Sequence, residues 1–334
     1  MALVLFLTTC YTVFAILDRM GLSDYAYKRV VCRTDGSLVV GSSRAAQALQ
    51  PHVMDEALSE SVFSPFFNFS FTIVDSPYGD LYYRAIKKKT KVCEFNPRRL
   101  FVVCVDPFSL SMIKEMDEDG FREDKGVLHG LPFYSRPNFL YLIRYCKPRK
   151  WISDRNNMCL HDDGWLEVTV KMDSMALVKN KAAKFDTYRR YTATPSEKRI
   201  EGLKQTIQFF QTQGSVFLCR LPTCMEMNEI EKVFWPNFDY EMESVAAAFN
   251  CPFFSFVNDF DRYRTFDGNH VFKEDGILLS KALCDSILHS SVIENPMAVY
   301  SDTSSPRDSG LLFFGGRLFT KSLAHSIDSL MLLK

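Results

Sequence analysis

The chain has 334 residues, 47% of them hydrophobic, which is ample for a substantial core and excludes wholesale disorder. Its 40 Lys and Arg balance 40 Asp and Glu, so bulk charge gives no reason to expect nucleic acid, and no zinc-finger, helix-turn-helix or RNA-binding motif is present. The 10 cysteines are scattered without a CxxC; Cys104 and Cys219 sit inside apolar runs and read as small core residues, not as a disulfide framework or a metal site.

Ala2 to Leu17 is apolar, interrupted by Thr8, Thr9, Cys10 and Thr12 and closed by Asp18-Arg19. About 16 residues is short for a membrane span, which needs about 20. The basic start and small-residue cleavage site of a signal peptide are missing. Two readings stand, a buried N-terminal helix and an uncleaved anchor, and the anchor is the expectation carried forward. Residues 1–30 would then be the anchor and its connector.

Beyond the connector, strand-like and helix-like segments alternate. Leu38 to Val40 reads as a short strand, Arg44 to Leu58 as a helix broken by Pro51, and Phe67 to Val74 as a strand by its alternation. Ser76-Pro77-Tyr78-Gly79 turns into a helix ending in Lys87-Lys88-Lys89, a run that suits a solvated helix end. Leu100 to Val105 has no polar member, as expected for a strand covered on both faces.

Thr194-Pro195-Ser196-Glu197 offers a cap, a first-turn proline and a capping-box glutamate. Ile200, Leu203, Ile207 and Phe210 then recur at helical spacing up to Gly214. Ser215 to Leu221 and Pro252 to Val257 read as strands, and Tyr240 to Phe249 and Lys273 to His289 as helices. This alternation predicts an α/β fold, a three-layer α/β/α domain over 31–290 with a parallel sheet of about five strands. Residues 107–193 break the rhythm and read as an inserted cap region, with 14 Lys or Arg against 8 Asp or Glu from Phe121 to Pro195. Residues 291–334 are expected to form a loosely attached C-terminal tail.

Two short stretches carry the chemistry. Gly41-Ser42-Ser43 follows the first strand, and Asp267-Gly268-Asn269-His270 follows the last. In an open parallel sheet the loops after the strands line one edge, where such folds bind ligands. A serine hydroxyl needs a base to remove its proton and a third group to hold that base. Ser43, His270 and Asp267 can supply those roles, with the Ser43 N–H at a helix start available to an oxyanion.

Taken together, these stretches resemble the SGNH or GDSL-like serine hydrolases, whose sheet order is flavodoxin-like. Gly41-Ser42-Ser43 looks like the family's first block and Asp267 with His270 like its last. The resemblance implies Ser43 as nucleophile, with Asp267 and His270 completing a catalytic triad, and Gly79 as a second oxyanion donor. The third block normally offers an asparagine, and here the third strand ends in Val105-Asp106-Pro107-Phe108. A carboxylate cannot donate unless protonated, so the oxyanion hole is expected to rest on the N–H groups of Ser43 and Gly79.

Gly41-Ser42-Ser43-Arg44-Ala45, Ser-Pro-Tyr-Gly, Arg220-Leu221-Pro222 and Asp-Gly-Asn-His together look most like a bacterial envelope subgroup. It is similar to the D-alanine transfer protein of teichoic acid synthesis and to polysaccharide O-acetyltransferases. That resemblance implies a serine esterase or O-acyltransferase acting on an acylated glycan or envelope polymer, with a membrane-bound acyltransferase as a further partner. No cofactor, metal or nucleic acid is expected. The expected location is a membrane, reached through the N-terminal helix, with the catalytic domain outside the cytoplasm; a cytoplasmic location stays open.

Arg44 and Arg220 are the candidates for substrate contact, against the plainer reading of surface pairing for Arg44. His161-Asp162-Asp163 reads as a solvated loop before it reads as a metal site. Trp151, Trp165 and Trp235 can stack on sugar or be buried. The rival function is a non-catalytic binding protein that keeps the fold and holds an anionic glycan or a synthesis partner with the two arginines. A phosphate-handling loop at Gly41-Ser42-Ser43-Arg44 ranks behind it, because it leaves Asp267 and His270 unexplained.

Overall fold

The computed structural model describes residues 1–19, 26–32, 34–58, 63–90, 92–129, 138–145, 157–170, 174–290, 312–314 and 317–319. It divides into two units, Met1–Glu294 and Asn295–Lys334. In the second, Leu312–Phe314 pairs antiparallel with Arg317–Phe319. Most of the expected tail, and Trp151 in the inserted region, lie outside the described residues.

The first unit is built on a five-stranded parallel sheet of β1 (Ser37–Gly41), β2 (Phe66–Ser70), β3 (Leu100–Cys104), β4 (Ser215–Arg220) and β5 (Phe253–Ser255). The strand order is β2-β1-β3-β4-β5, every neighbouring pair parallel. The chain therefore reverses direction across the sheet between β1 and β3, the position where open α/β sheets leave a crevice at the carboxyl ends of their strands.

Period-two alternation gives the sheet two apolar faces. Leu38, Val40, Phe101, Val103, Val216 and Leu218 join one core cluster with Ile86 of the helix Asp80–Lys89 and with Leu203, Ile207 and Phe210 of the helix Glu197–Gln211. Phe101 and Phe210 stack there with ring centres 4.1 Å apart. On the other face, Asn68 of β2 donates to the Ala45 and Leu49 carbonyls at 2.8 and 2.9 Å. That ties down the short helix after β1.

Among the helices are α1 (Ala2–Arg19), α2 (Ser43–Ala48), α3 (Pro51–Leu58), α4 (Asp80–Lys89), α5 (Ser174–Arg189), α6 (Glu197–Gln211), α7 (Met225–Phe234), α8 (Phe238–Ala248) and α9 (Lys273–Leu288). α9 packs on α2 and α3, and α6 packs on α4, so helices flank the sheet as in a three-layer α/β/α fold. Pro51 divides the expected Arg44–Leu58 helix into α2 and α3, since its ring removes a backbone donor and fixes φ.

Several expectations are corrected by tertiary contacts. No helix among the described residues is long and apolar enough to cross a membrane, which overturns the membrane-anchored location expected of residues 1–30. At 1.5 Å per residue an apolar run of about 16 residues extends about 24 Å, short of a hydrocarbon core of about 30 Å. The well-formed cap at Thr194 is not used: Ala193–Pro195 pairs antiparallel with Ser111–Ile113, and α6 begins only after Ser196. The Lys87–Lys89 run is not wholly solvated either. Lys89 is fully buried, with Nζ donating to the Arg29 carbonyl at 3.2 Å and to the Cys32 carbonyl, and sitting over the Phe67 ring at 3.5 Å. Burial pushes its ammonium down to about 7.

Candidate active site

β1 ends at Gly41 with φ +157°, and a Cβ there would lie 2.8 Å from Cys104 Cβ and 3.1 Å from Ala45 Cβ. Only glycine lets the chain turn this tightly between β3 and α2. Ser42 takes the N-cap position, and its hydroxyl donates to Asp106 Oδ2 at 2.6 Å and accepts no N–H of its own helix. Ser43 is then the first residue of α2, half-buried, with its N–H among those that have no acceptor inside the helix.

The second stretch arrives from β5. Asp267 Oδ1 accepts the backbone N–H groups of Asn269 at 3.0 Å and His270 at 2.8 Å, which closes the turn on its own carboxylate. Gly268 within it has φ +82°, and a Cβ there would fall 2.5 Å from the Phe185 ring. Helix α5, part of the region that breaks the α/β rhythm, thus lies directly on this turn.

The structure brings Ser43, His270 and Asp267 together. Ser43 Oγ is 2.8 Å from His270 Nε2, and His270 Nδ1 is 2.8 Å from Asp267 Oδ2. Because the carboxylate can only accept, Nδ1 carries the ring proton and Nε2 presents its lone pair to the serine hydroxyl. Asp267 and His270 are both buried, and the Phe266 ring stacks on the imidazole at 5.7 Å. Burial alone would raise the Asp267 carboxyl. The charge and hydrogen bonds of His270 and the Lys184 ammonium, 3.3 Å from Oδ2, outweigh it and hold the group well below the usual carboxylate range.

Asp106 is committed to structure. Its Oδ2 accepts from Ser42 and its Oδ1 from the Ser109 N–H at 2.9 Å, capping the short turn Pro107–Leu110. It stands where the resemblance leads one to look for an amide donor and supplies none. Gly79 packs against α6: a Cβ on Gly202 would come within 2.7 Å of the Gly79 nitrogen, and one on Gly79 would meet Glu123 Oε1 at 3.3 Å. These neighbours of Gly79 are α6 and Glu123 of the short turn Arg122–Lys125, and none of them is a triad residue.

Arg44 and Arg220 converge on one carboxylate. Glu231 of α7, fully buried, accepts from Arg44 Nη2 at 2.5 Å through Oε1 and from Arg220 Nη2 at 2.8 Å through Oε2. Arg220 also donates to Asp239 at 2.5 Å and Asn228 at 3.2 Å. Both guanidinium groups are buried and engaged by carboxylates, while Arg44 Nη1 and Arg220 Nε are buried without a hydrogen bond.

Arg44 reaches the triad through Asn269. Its Nε and Nη2 donate to Asn269 Oδ1 at 2.9 and 2.7 Å, and the amide nitrogen of Asn269 lies 3.2 Å from His270 Nε2. Glu231, Lys184 and Asn269 were not singled out from sequence. Asn269 alone carried a signal, its place beside the histidine.

The remaining candidates have local roles. His161 stacks on Trp165 at 4.5 Å and pairs with Glu167 at 2.9 Å. Trp165 is buried and donates to the Gln47 carbonyl at 2.9 Å, and Trp235 is buried against Phe238. Among the described residues no group of three or more His, Cys, Asp or Glu is placed to hold a metal ion. No family model matches the chain, and no curated protein matches it.

Proposed function

We propose that this chain performs serine-dependent acyl or acetyl transfer, or ester hydrolysis when water is the acceptor. The observation that carries the reading is the continuous hydrogen-bonded series from Ser43 Oγ through the imidazole of His270 to Asp267, with 2.8 Å at each of its two links. Nε2 takes the hydroxyl proton as Oγ attacks the acyl carbon, and returns it to the leaving oxygen as the C–O bond breaks. Asp267, held ionised, steadies the imidazolium between the two transfers. The Ser43 N–H, left without an intrahelical acceptor at the start of α2, is the donor this reading assigns to the developing oxyanion.

The substrate class suggested by the SGNH resemblance is an acylated glycan or related polymer. The rival reading, a non-catalytic holder of an anionic glycan, draws on Asp106 at the position of an amide donor. It also requires Arg44 and Arg220 to be free, and Glu231 occupies both.

The test is release or transfer of acetyl from O-acetylated oligosaccharides, followed by NMR with and without an added sugar acceptor. Loss of acetyl that disappears in Ser43→Ala supports the reading, and product on the acceptor separates transfer from hydrolysis. Turnover identical in wild type and Ser43→Ala contradicts it.

A further inference from the structure

Asn269 has only one way to point its amide. A guanidinium has donors and no acceptor, so the atom that takes two bonds from Arg44 is the carbonyl oxygen Oδ1, and the NH2 group is turned toward His270. Arg44 is in turn fixed by Glu231, which Arg220 holds from the other side. The buried series Arg220–Glu231–Arg44–Asn269 therefore ends in a fixed N–H donor 3.2 Å from the atom that accepts the serine proton.

In the resting state this causes no conflict, because the Nε2 lone pair accepts from both Ser43 and Asn269. Once Nε2 has taken the Ser43 proton, two N–H donors face each other with no acceptor between them. An oxygen bonded to both resolves this, and the oxygen due at Nε2 at that moment is the leaving oxygen of the ester. In the second half of the reaction it is the oxygen of the water or hydroxyl that attacks the acyl-enzyme.

Accordingly we infer that Asn269 is a catalytic donor to the leaving and accepting oxygen, a role that rests on the acyl-transfer reading of Ser43 and His270. In acylation the Ser43 Oγ–acyl bond forms and the acyl C–O bond breaks. The serine proton passes through Nε2 to the leaving oxygen, and the Asn269 N–H stabilises the negative charge on that oxygen before the proton arrives. Deacylation runs the same steps with the acceptor oxygen entering.

A leaving-group series tests this by measuring the single-turnover rate of Ser43 acetylation by intact mass for 4-nitrophenyl acetate, phenyl acetate and ethyl acetate. Nitrophenolate needs little help to depart, and ethoxide needs much. Asn269→Ala should slow acetylation by 4-nitrophenyl acetate less than about threefold and by ethyl acetate about tenfold or more. Asn269→Asp keeps the size and the Oδ1 acceptor for Arg44 but lacks the donor, and should show the same steepened dependence. A uniform slowing across the three esters, in either variant, overturns the role of Asn269 and leaves the triad intact. Absence of Ser43 acetylation in the wild-type protein by every ester overturns the acyl-transfer reading itself, and this inference with it.

Discussion

Lys184 Nζ stands 3.3 Å from Asp267 Oδ2, so a helix from the inserted region touches the carboxylate that holds the His270 ring. The next residue, Phe185, covers the Gly268 turn. The insertion is thus part of the site's support as well as a cover over it. Lys184 is partly exposed, so water screens its pairing, and Lys184→Met should lower kcat/KM for an acetyl ester by less than about tenfold. Asp267→Asn, which removes the partner of Nδ1–H, should lower it by about 10³ to 10⁴. Steady-state kinetics on the two variants checks the order; an equal loss in both would mean that the lysine does more than balance charge.

Gly268→Ala meets two obstacles at once, a left-handed backbone and the Phe185 ring. The left-handed conformation costs a non-glycine residue about 1 kcal/mol, and the clash adds to it. Thermal melting should show the variant destabilised. Adding Phe185→Leu should recover part of the loss, the part due to the ring. No recovery would place the whole cost in the backbone.

Glu231 is the shared partner of two buried arginines, which makes its removal unlike removal of a surface charge. Glu231→Ala leaves both guanidinium groups without that carboxylate, and should cost about 3 to 5 kcal/mol in urea unfolding. Glu231→Gln should cost less, because one arginine still finds an oxygen. A change below about 1 kcal/mol in Glu231→Ala would show that the carboxylate is dispensable.

Lys89 gives a pH dependence of definite sign. Its folded value of about 7 lies below the unfolded lysine value of about 10.4, so between these the unfolded chain binds more protons than the folded one. Stability from this group therefore rises with pH across that window, by up to about 1.4 kcal/mol per pH unit, and is flat below it, where both states are protonated. Urea midpoints from pH 7 to 9.5 should climb in the wild-type protein relative to Lys89→Met. A parallel pH dependence in the two would show that Lys89 stays charged when buried.

The sheet was legible because its strands are short apolar runs bounded by turns, and the triad because each half lies within a few consecutive residues. Helix α7 left little trace: Cys224, its N-cap, makes no side-chain cap bond. Glu231 on that helix was invisible with it. Thr194 misled in the opposite sense, since a local capping pattern lost to strand pairing with Met112. Arg44 and Arg220 were noticed for their positions, but their partner is reached only through the fold, 187 residues from the first and 11 from the second. Charge alone likewise assigned Lys89 to solvent, where packing against Phe67 and two carbonyls holds it inside.

Labelling with a fluorophosphonate, followed by peptide mapping, tests the central claim most directly. The account predicts a single adduct on Ser43 in the wild-type protein, and none there in Ser43→Ala or His270→Ala. A folded wild-type protein in which Ser43 stays unmodified, or an adduct that forms as fast without His270 as with it, would contradict the account.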